Sequence, residues 1–178
     1  MADQPVYIAD YDSRWSDCFE SLRDQIVGVL GALAVRIEHV GSTAVPALAA
    51  KPVIDIDVVV GSMADLPSVA AKLRPLGYQP QGDLGVAGRE AFTTPEGAPP
   101  HHLYVCAVDS PELARHIAFR DFLRAHPDAA RDYAELKRCL ASRFRNDRTA
   151  YTEAKTTFIE HVLATIASDS TPRDHVPE

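Results

Sequence analysis

Apolar residues recur at three- and four-residue steps through Trp15, Phe19, Leu22, Ile26, Val29, Leu30 and Leu33. That spacing predicts a helix with one buried face, capped by Asp12 and starting near Ser13. Residues 34–40 then alternate, with Val35, Ile37 and His39 in one phase, which suits a strand. Residues 41–50 read as a turn and a short helical piece broken by Pro46. Pro52 opens the run 53–60, nearly continuous in β-branched residues as a central strand is. Residues 65–73 read as a helix stopped near Gly77. Three strands are predicted next, at 78–81, 89–94 and 101–108, with the PEGAPP segment 95–100 as a hairpin loop. From Ser110-Pro111, a capped start with proline at the first helical position, the period becomes helical. Ala129, Tyr133, Leu136, Leu140 and Phe144 line one helix; Phe158, Ile159, Val162, Leu163 and Ile166 line the last.

This order predicts an α+β protein: a small mixed β-sheet with helices on one side, followed by a C-terminal helical bundle. The expected division is an α/β core over 1–109, a helical module over 110–167 and a disordered polar tail over 168–178.

Composition narrows the classes. A chain of 178 residues with 46% hydrophobic content can bury a real core. No apolar run reaches the ~18–20 residues needed to span a bilayer. The opening MADQPVYIADYD lacks the basic-then-apolar order of a signal peptide. The expectation is a cytoplasmic protein with no membrane partner. Cys18, Cys106 and Cys139 form no C-x-x-C pair and are expected to be buried small hydrophobes. A net charge of −7 argues against stable nucleic-acid binding. Yet residues 115–155 hold ten basic residues against six acidic ones, a pattern that suits a small polyphosphate ligand.

The chemistry concentrates in HVGSTAVPALAAKPVIDIDVVV, residues 39–60. Asp55 and Asp57 lie two apart in a strand, so both side chains point to one face. Like charges that close raise each other's pKa unless a cation lies between them. A divalent metal held by oxygens, Mg²⁺ or Mn²⁺, is the simplest cation. Gly41-Ser42 ends the preceding strand and offers backbone N–H groups as a phosphate seat. A metal beside a phosphate seat is the machinery of phosphoryl or nucleotidyl transfer.

Gly-Ser followed by Asp-x-Asp on the next strand resembles the DNA polymerase β-type nucleotidyltransferase superfamily. Within it, IEHVGSTAVPALAAKPVIDIDVVV resembles the GrpB family, as do YDSRWSDCFESL, HHLYV, FRDFLRAHPDAARDYAELKRCLA and YTEAKTTFIEHVL. One departure is Val-Pro-Ala-Leu at 45–48, where family members often carry Val-Pro-Gly-Leu. The resemblance implies a small mixed sheet with the carboxylates on its exposed edge region, walled by the basic C-terminal helices. It also implies a third carboxylate on a later strand. The strand at 101–105 carries none, and His102 is the candidate in its place, as metal ligand or base. Glu90 is the reserve acid.

The expected site therefore comprises Asp55, Asp57 and His102 as catalytic and metal-holding residues. Gly41, Ser42, Thr43, Lys51, Lys137 and Lys155 would bind the nucleotide. Tyr133 with Lys137, and Tyr151 with Lys155, are spaced four apart and suit either base stacking or interhelix packing. His39 and Arg89 are weaker candidates. The favoured reaction is metal-dependent transfer of a nucleotidyl group from a nucleoside triphosphate to an unknown acceptor. The alternatives are a non-catalytic nucleotide-binding module, or a metal-dependent phosphohydrolase suggested by the His101-His102 pair.

Overall fold

The computed structural model describes residues 5–169. Helix α1 (Arg14–Leu30) leads into strand β1 (Arg36–Val40), then a single 3-10 turn (Ser42–Ala44) and strand β2 (Ile54–Val60). Helix α2 (Leu66–Leu73), strands β3 (Arg89–Phe92) and β4 (His101–Ala107), and helices α3 (Pro111–Ala125), α4 (Pro127–Arg143) and α5 (Arg148–Asp169) follow. One mixed sheet runs in the order β1-β2-β4-β3. β2 and β4 are parallel, which sets Asp55 beside His102 and Asp57 beside Tyr104. β1 and β3 are antiparallel to their neighbours.

The two phases of β2 do different work. Ile54, Ile56 and Val58 pack against Trp15, Phe19, Leu22 and Ile26 of α1 and Val69 and Leu73 of α2. Each such side chain contributes about 1.5–3 kcal/mol by leaving water. The opposite phase holds Asp55, Asp57 and Val59. There Val59 and Cys106 pack on Leu113 and Ile117 of α3. Val45, Leu48 and Ala49, just past the Gly-Ser turn, pack against Leu123 of α3 and Ala130, Tyr133 and Ala134 of α4. This second cluster fixes the C-terminal helices over the end of β2 where the carboxylates lie.

Several expectations need correction. The sheet is covered by α1 and α2 on one face and by α3 on the other, not on one side alone. The carboxylates sit on an interior strand and not at an exposed edge, and Asp57 is only 1% exposed. Residues 78–81 form no strand. Pro80 has no N–H to give a ladder, and the segment keeps only a bridge to Phe92. Cys106 is buried, but Cys18 is half-buried and Cys139 is exposed on α4. Ser168 and Asp169 continue α5, so the expected tail does not begin there; its remainder, 170–178, lies outside the described residues. No described helix is long and apolar enough to cross a membrane.

Candidate functional site

The site is built around one glycine. Gly41 has φ 70° and ψ −169°, a backbone region essentially reserved for glycine. A Cβ there would overlap the Asp55 carboxylate, whose Cγ would stand only 3.0 Å away. The turn and the first acid are therefore in direct contact. Thr43, next in the turn, gives its hydroxyl proton to Val53 O at 3.3 Å. It accepts from His39 Nε2 at 3.0 Å. His39 also stacks on Phe19, with ring centroids 4.6 Å apart. Burial pushes its pKa down to about 4; Asp55 pulls the other way, and Arg124 and Arg120 add to the fall. His39 is thus a neutral strut of the turn.

Cations close the opposite wall. Lys137 of α4 is 2% exposed. Its ammonium donates to Ser42 Oγ at 2.9 Å and to Ala49 O. Burial drives its pKa down to about 7, with Lys155 and Arg138 adding and Asp55 opposing. Lys155 of α5 is lowered by burial, with Asp55 opposing and Lys51 and Arg148 adding. Lys51 is lowered by burial and Arg148, again against Asp55. Among the described residues, none of Lys51, Lys137, Arg148 and Lys155 has a carboxylate within ion-pair distance. These groups face a cavity of about 420 Å³, which Gly41, Ser42, Thr43, Asp55 and His102 also line. Phe119, Ile159 and Leu163 supply apolar wall.

The acids are each held by an imidazole. His102 Nδ1 donates to Asp55 Oδ1 at 2.8 Å. His116 of α3 donates from Nδ1 to Asp57 Oδ2 at 2.7 Å, and its Nε2 lies 3.2 Å from Glu112 Oε1. Burial works against the His116 charge, but the Asp57 hydrogen bond and charge, then Glu112 and Asp55, outweigh it and raise its pKa.

Two carboxylates are donors for Mg²⁺ or Mn²⁺, and an added imidazole favours Mn²⁺ over Mg²⁺. Their arrangement does not fit either ion, however. The Asp57 side chain is 2% exposed beneath His116, and Asp55 spends one oxygen on His102 and presses the other against Gly41. Among the described residues, no three His, Cys, Asp or Glu side chains converge on a point a metal could occupy.

Of the residues singled out in the sequence, Gly41, Ser42, Thr43, Lys51, Asp55, His102, Lys137 and Lys155 meet at this one cavity. Asp57 lies apart, under His116. Glu90 accepts from Gly82 N at 2.6 Å, which ties it to the loop. His101 is 1% exposed in the opposite core, where it accepts from Tyr78 OH at 2.8 Å. Tyr133 offers no free ring face. It stacks on Phe158 at 4.9 Å, meets Phe119 edge-on, and carries the Lys137 ammonium 4.6 Å from its centroid. Tyr151 likewise carries Lys155, at 4.5 Å. Arg89 lies over Tyr104 at 4.2 Å. Sequence reading missed His116, Arg115, Arg148 and the apolar wall. The Glu112-to-His116 spacing of one helical turn was the available signal, and such pairs are too common to select it.

The fold is of the nucleotidyltransferase type. Terminal uridylyl transferase 4 from Trypanosoma brucei, solved with bound UTP, shares the fold at TM-score 0.53 and 16% identity, over 90% of this chain and 52% of that one. More narrowly, the chain belongs to the GrpB family, whose model, described as GrpB protein, matches residues 5–165. The crystal structure of the conserved protein GrpB from Enterococcus faecalis superposes at TM-score 0.83 and 30% identity, over 92% of this chain and 98% of that one. The UPF0157 protein YqkA of Bacillus subtilis (strain 168) is 35% identical over 155 residues, 87% of this chain. The chain spans only 45% of the length of that relative.

Proposed function

We propose that the cavity binds a nucleoside triphosphate and that the protein transfers the nucleotidyl group to an acceptor hydroxyl. The observation that carries this reading is the set of lysines, without acid partners among the described residues, facing the Gly41-Ser42 turn. Burial penalises each ammonium, and a polyphosphate would restore its charge balance. The uridylyl transferase likeness supports a nucleotide as the source of that polyphosphate. In this reading the phosphates lie along the turn, and Lys51, Lys137 and Lys155 act as point charges on them. His102 has Nδ1 committed to Asp55. Its Nε2 is left to take the proton from the acceptor hydroxyl, as in other carboxylate-held histidine bases. The freed oxygen attacks the α-phosphorus, and pyrophosphate leaves with the bonding electron pair, steadied by the ammonium groups.

A second reading is a nucleotide-binding module without turnover, favoured by His102 standing beside Asp55 on β4 where the resemblance implies a third acid. The phosphohydrolase alternative rested on two neighbouring histidines, and His101 is spent in the core. Calorimetric titration with ATP, GTP, CTP and UTP, beside a pyrophosphate-release assay, separates these readings. At least one triphosphate is expected to bind, and Lys137→Met is expected to weaken it by about 100-fold, the scale of losing a charge-assisted contact in a dry site. Binding with pyrophosphate release supports transfer; binding alone leaves the module. No binding, or binding indifferent to Lys137→Met, would overturn the proposal.

A further inference from the structure

We infer that this cavity takes its triphosphate without a divalent cation, the phosphates being met by the protein's own lysines while histidine N–H groups occupy the strand carboxylates. The inference rests on the triphosphate reading above and concerns how the charge is balanced.

In a two-metal transfer site the acids are left open so that ions can bridge them to the phosphates. Here both acids are already answered. His116 reaches Asp57 from α3 at 2.7 Å and is held on its other side by Glu112 at 3.2 Å. Both ring nitrogens are committed, so the ring cannot swing off Asp57 without breaking two contacts. A side chain 2% exposed has no water to replace the lost partner, and an unpaired buried carboxylate is strongly disfavoured. Asp55 faces the cavity with 31% of its side chain exposed, yet both of its oxygens are engaged. His102 holds its Oδ1 at 2.8 Å, and its Oδ2 occupies the space a Cβ at position 41 would need.

The positive charge lies elsewhere. Lys51, Lys137, Arg148 and Lys155 line the same cavity and have no carboxylate in ion-pair range among the described residues. They come from the loop before β2 and from α4 and α5, so they surround the space from two sides. A polyanion entering there would meet its counter-charge on the walls these four residues form, while the two carboxylates that also face the cavity, Asp55 and Glu112, each already have a histidine within ion-pair distance. Electrostatic preorganisation by fixed ammonium groups can take the role a metal plays in other phosphate sites.

The test is titration of the full chain with the best-bound triphosphate in EDTA and in excess Mg²⁺ or Mn²⁺. The expected dissociation constants agree within about three-fold across these conditions, well under the ten-fold step that 1.4 kcal/mol represents. His116→Gln removes the ionisable ring facing Asp57 while keeping an N–H donor there. It is expected to weaken binding in EDTA by about ten-fold or more, with Mg²⁺ restoring part of the loss. Asp57→Asn is expected to stay indifferent to EDTA. Wild-type binding that appears only with metal, or weakens ten-fold or more in EDTA, overturns this inference and leaves the triphosphate reading standing. If no triphosphate binds under any condition, both fall. Should His116→Gln fail to fold, the wild-type comparison still decides.

Discussion

Lys137 holds a charge at 2% exposure with a hydroxyl, a carbonyl and the Tyr133 ring face, and no carboxylate, to receive it. Its pKa near 7, against an ordinary 10.5, corresponds to a destabilisation on the order of 5 kcal/mol in the empty protein at neutral pH. Lys137→Met is therefore expected to raise the thermal midpoint, by about 5 °C after the lost bonds to Ser42 and Ala49 are set against the gain. Between about pH 7 and 10.5 the unfolded chain holds the lysine proton that the folded one has lost, so wild-type stability rises with pH across that window and is flat below it. The wild type should then close the gap to Lys137→Met as pH climbs. A variant less stable than the wild type at pH 7, or a gap that ignores pH, contradicts this account of the residue. Gly41→Ala is a cleaner case, since it strains the backbone and strikes Asp55 at once. A loss of about 1–3 kcal/mol in urea unfolding is expected, and an unchanged midpoint would mean that the turn is not so constrained. Gly41 and Asp55 were legible in the sequence because type and spacing mark them, whereas Lys137 entered through the family resemblance and its four-residue spacing from Tyr133. His116 was not legible, because only packing brings it to Asp57, 59 positions away.

Helix α3 acts as a strap across the second face of the sheet. Arg120 ties it down, giving Nη1 to Glu38 Oε2 at 2.7 Å and to His39 O at 2.9 Å, and Nε to Asp121 at 2.8 Å. Arg120→Ala is expected to lower stability by about 1–3 kcal/mol, because Glu38 stays partly hydrated while the His39 carbonyl is orphaned. Hydrogen exchange should speed up in β1 more than in α2. Equal exchange in both would show that the strap does not matter. The element pattern was largely readable. Period and β-branching marked α1, β2 and the C-terminal helices. Residues 78–81, Tyr-Gln-Pro-Gln, misled because a short segment between a glycine stop and a strand resembles a strand until Pro80 is asked for a ladder donor.

At the scale of the whole molecule, the cavity joins β2 and its flanking loops to α4 and α5. A ligand seated there contacts both, so it should stabilise them as one unit. At a triphosphate concentration of 100 times its dissociation constant, mass action gives about 2.7 kcal/mol. The thermal transition should move up by about 5–10 °C and stay single. Two separating transitions would deny that the ligand bridges them. The order of elements predicted the fold class, but not that helices cover both sheet faces. That depends on α3 crossing back over β2, which no local pattern records. The most direct measurement is a crystal structure with a non-hydrolysable nucleoside triphosphate. The account predicts phosphate density between the Gly41-Ser42 turn and the ammonium groups of Lys137 and Lys155. Phosphates bound elsewhere, or those lysines turned away from them, would contradict it.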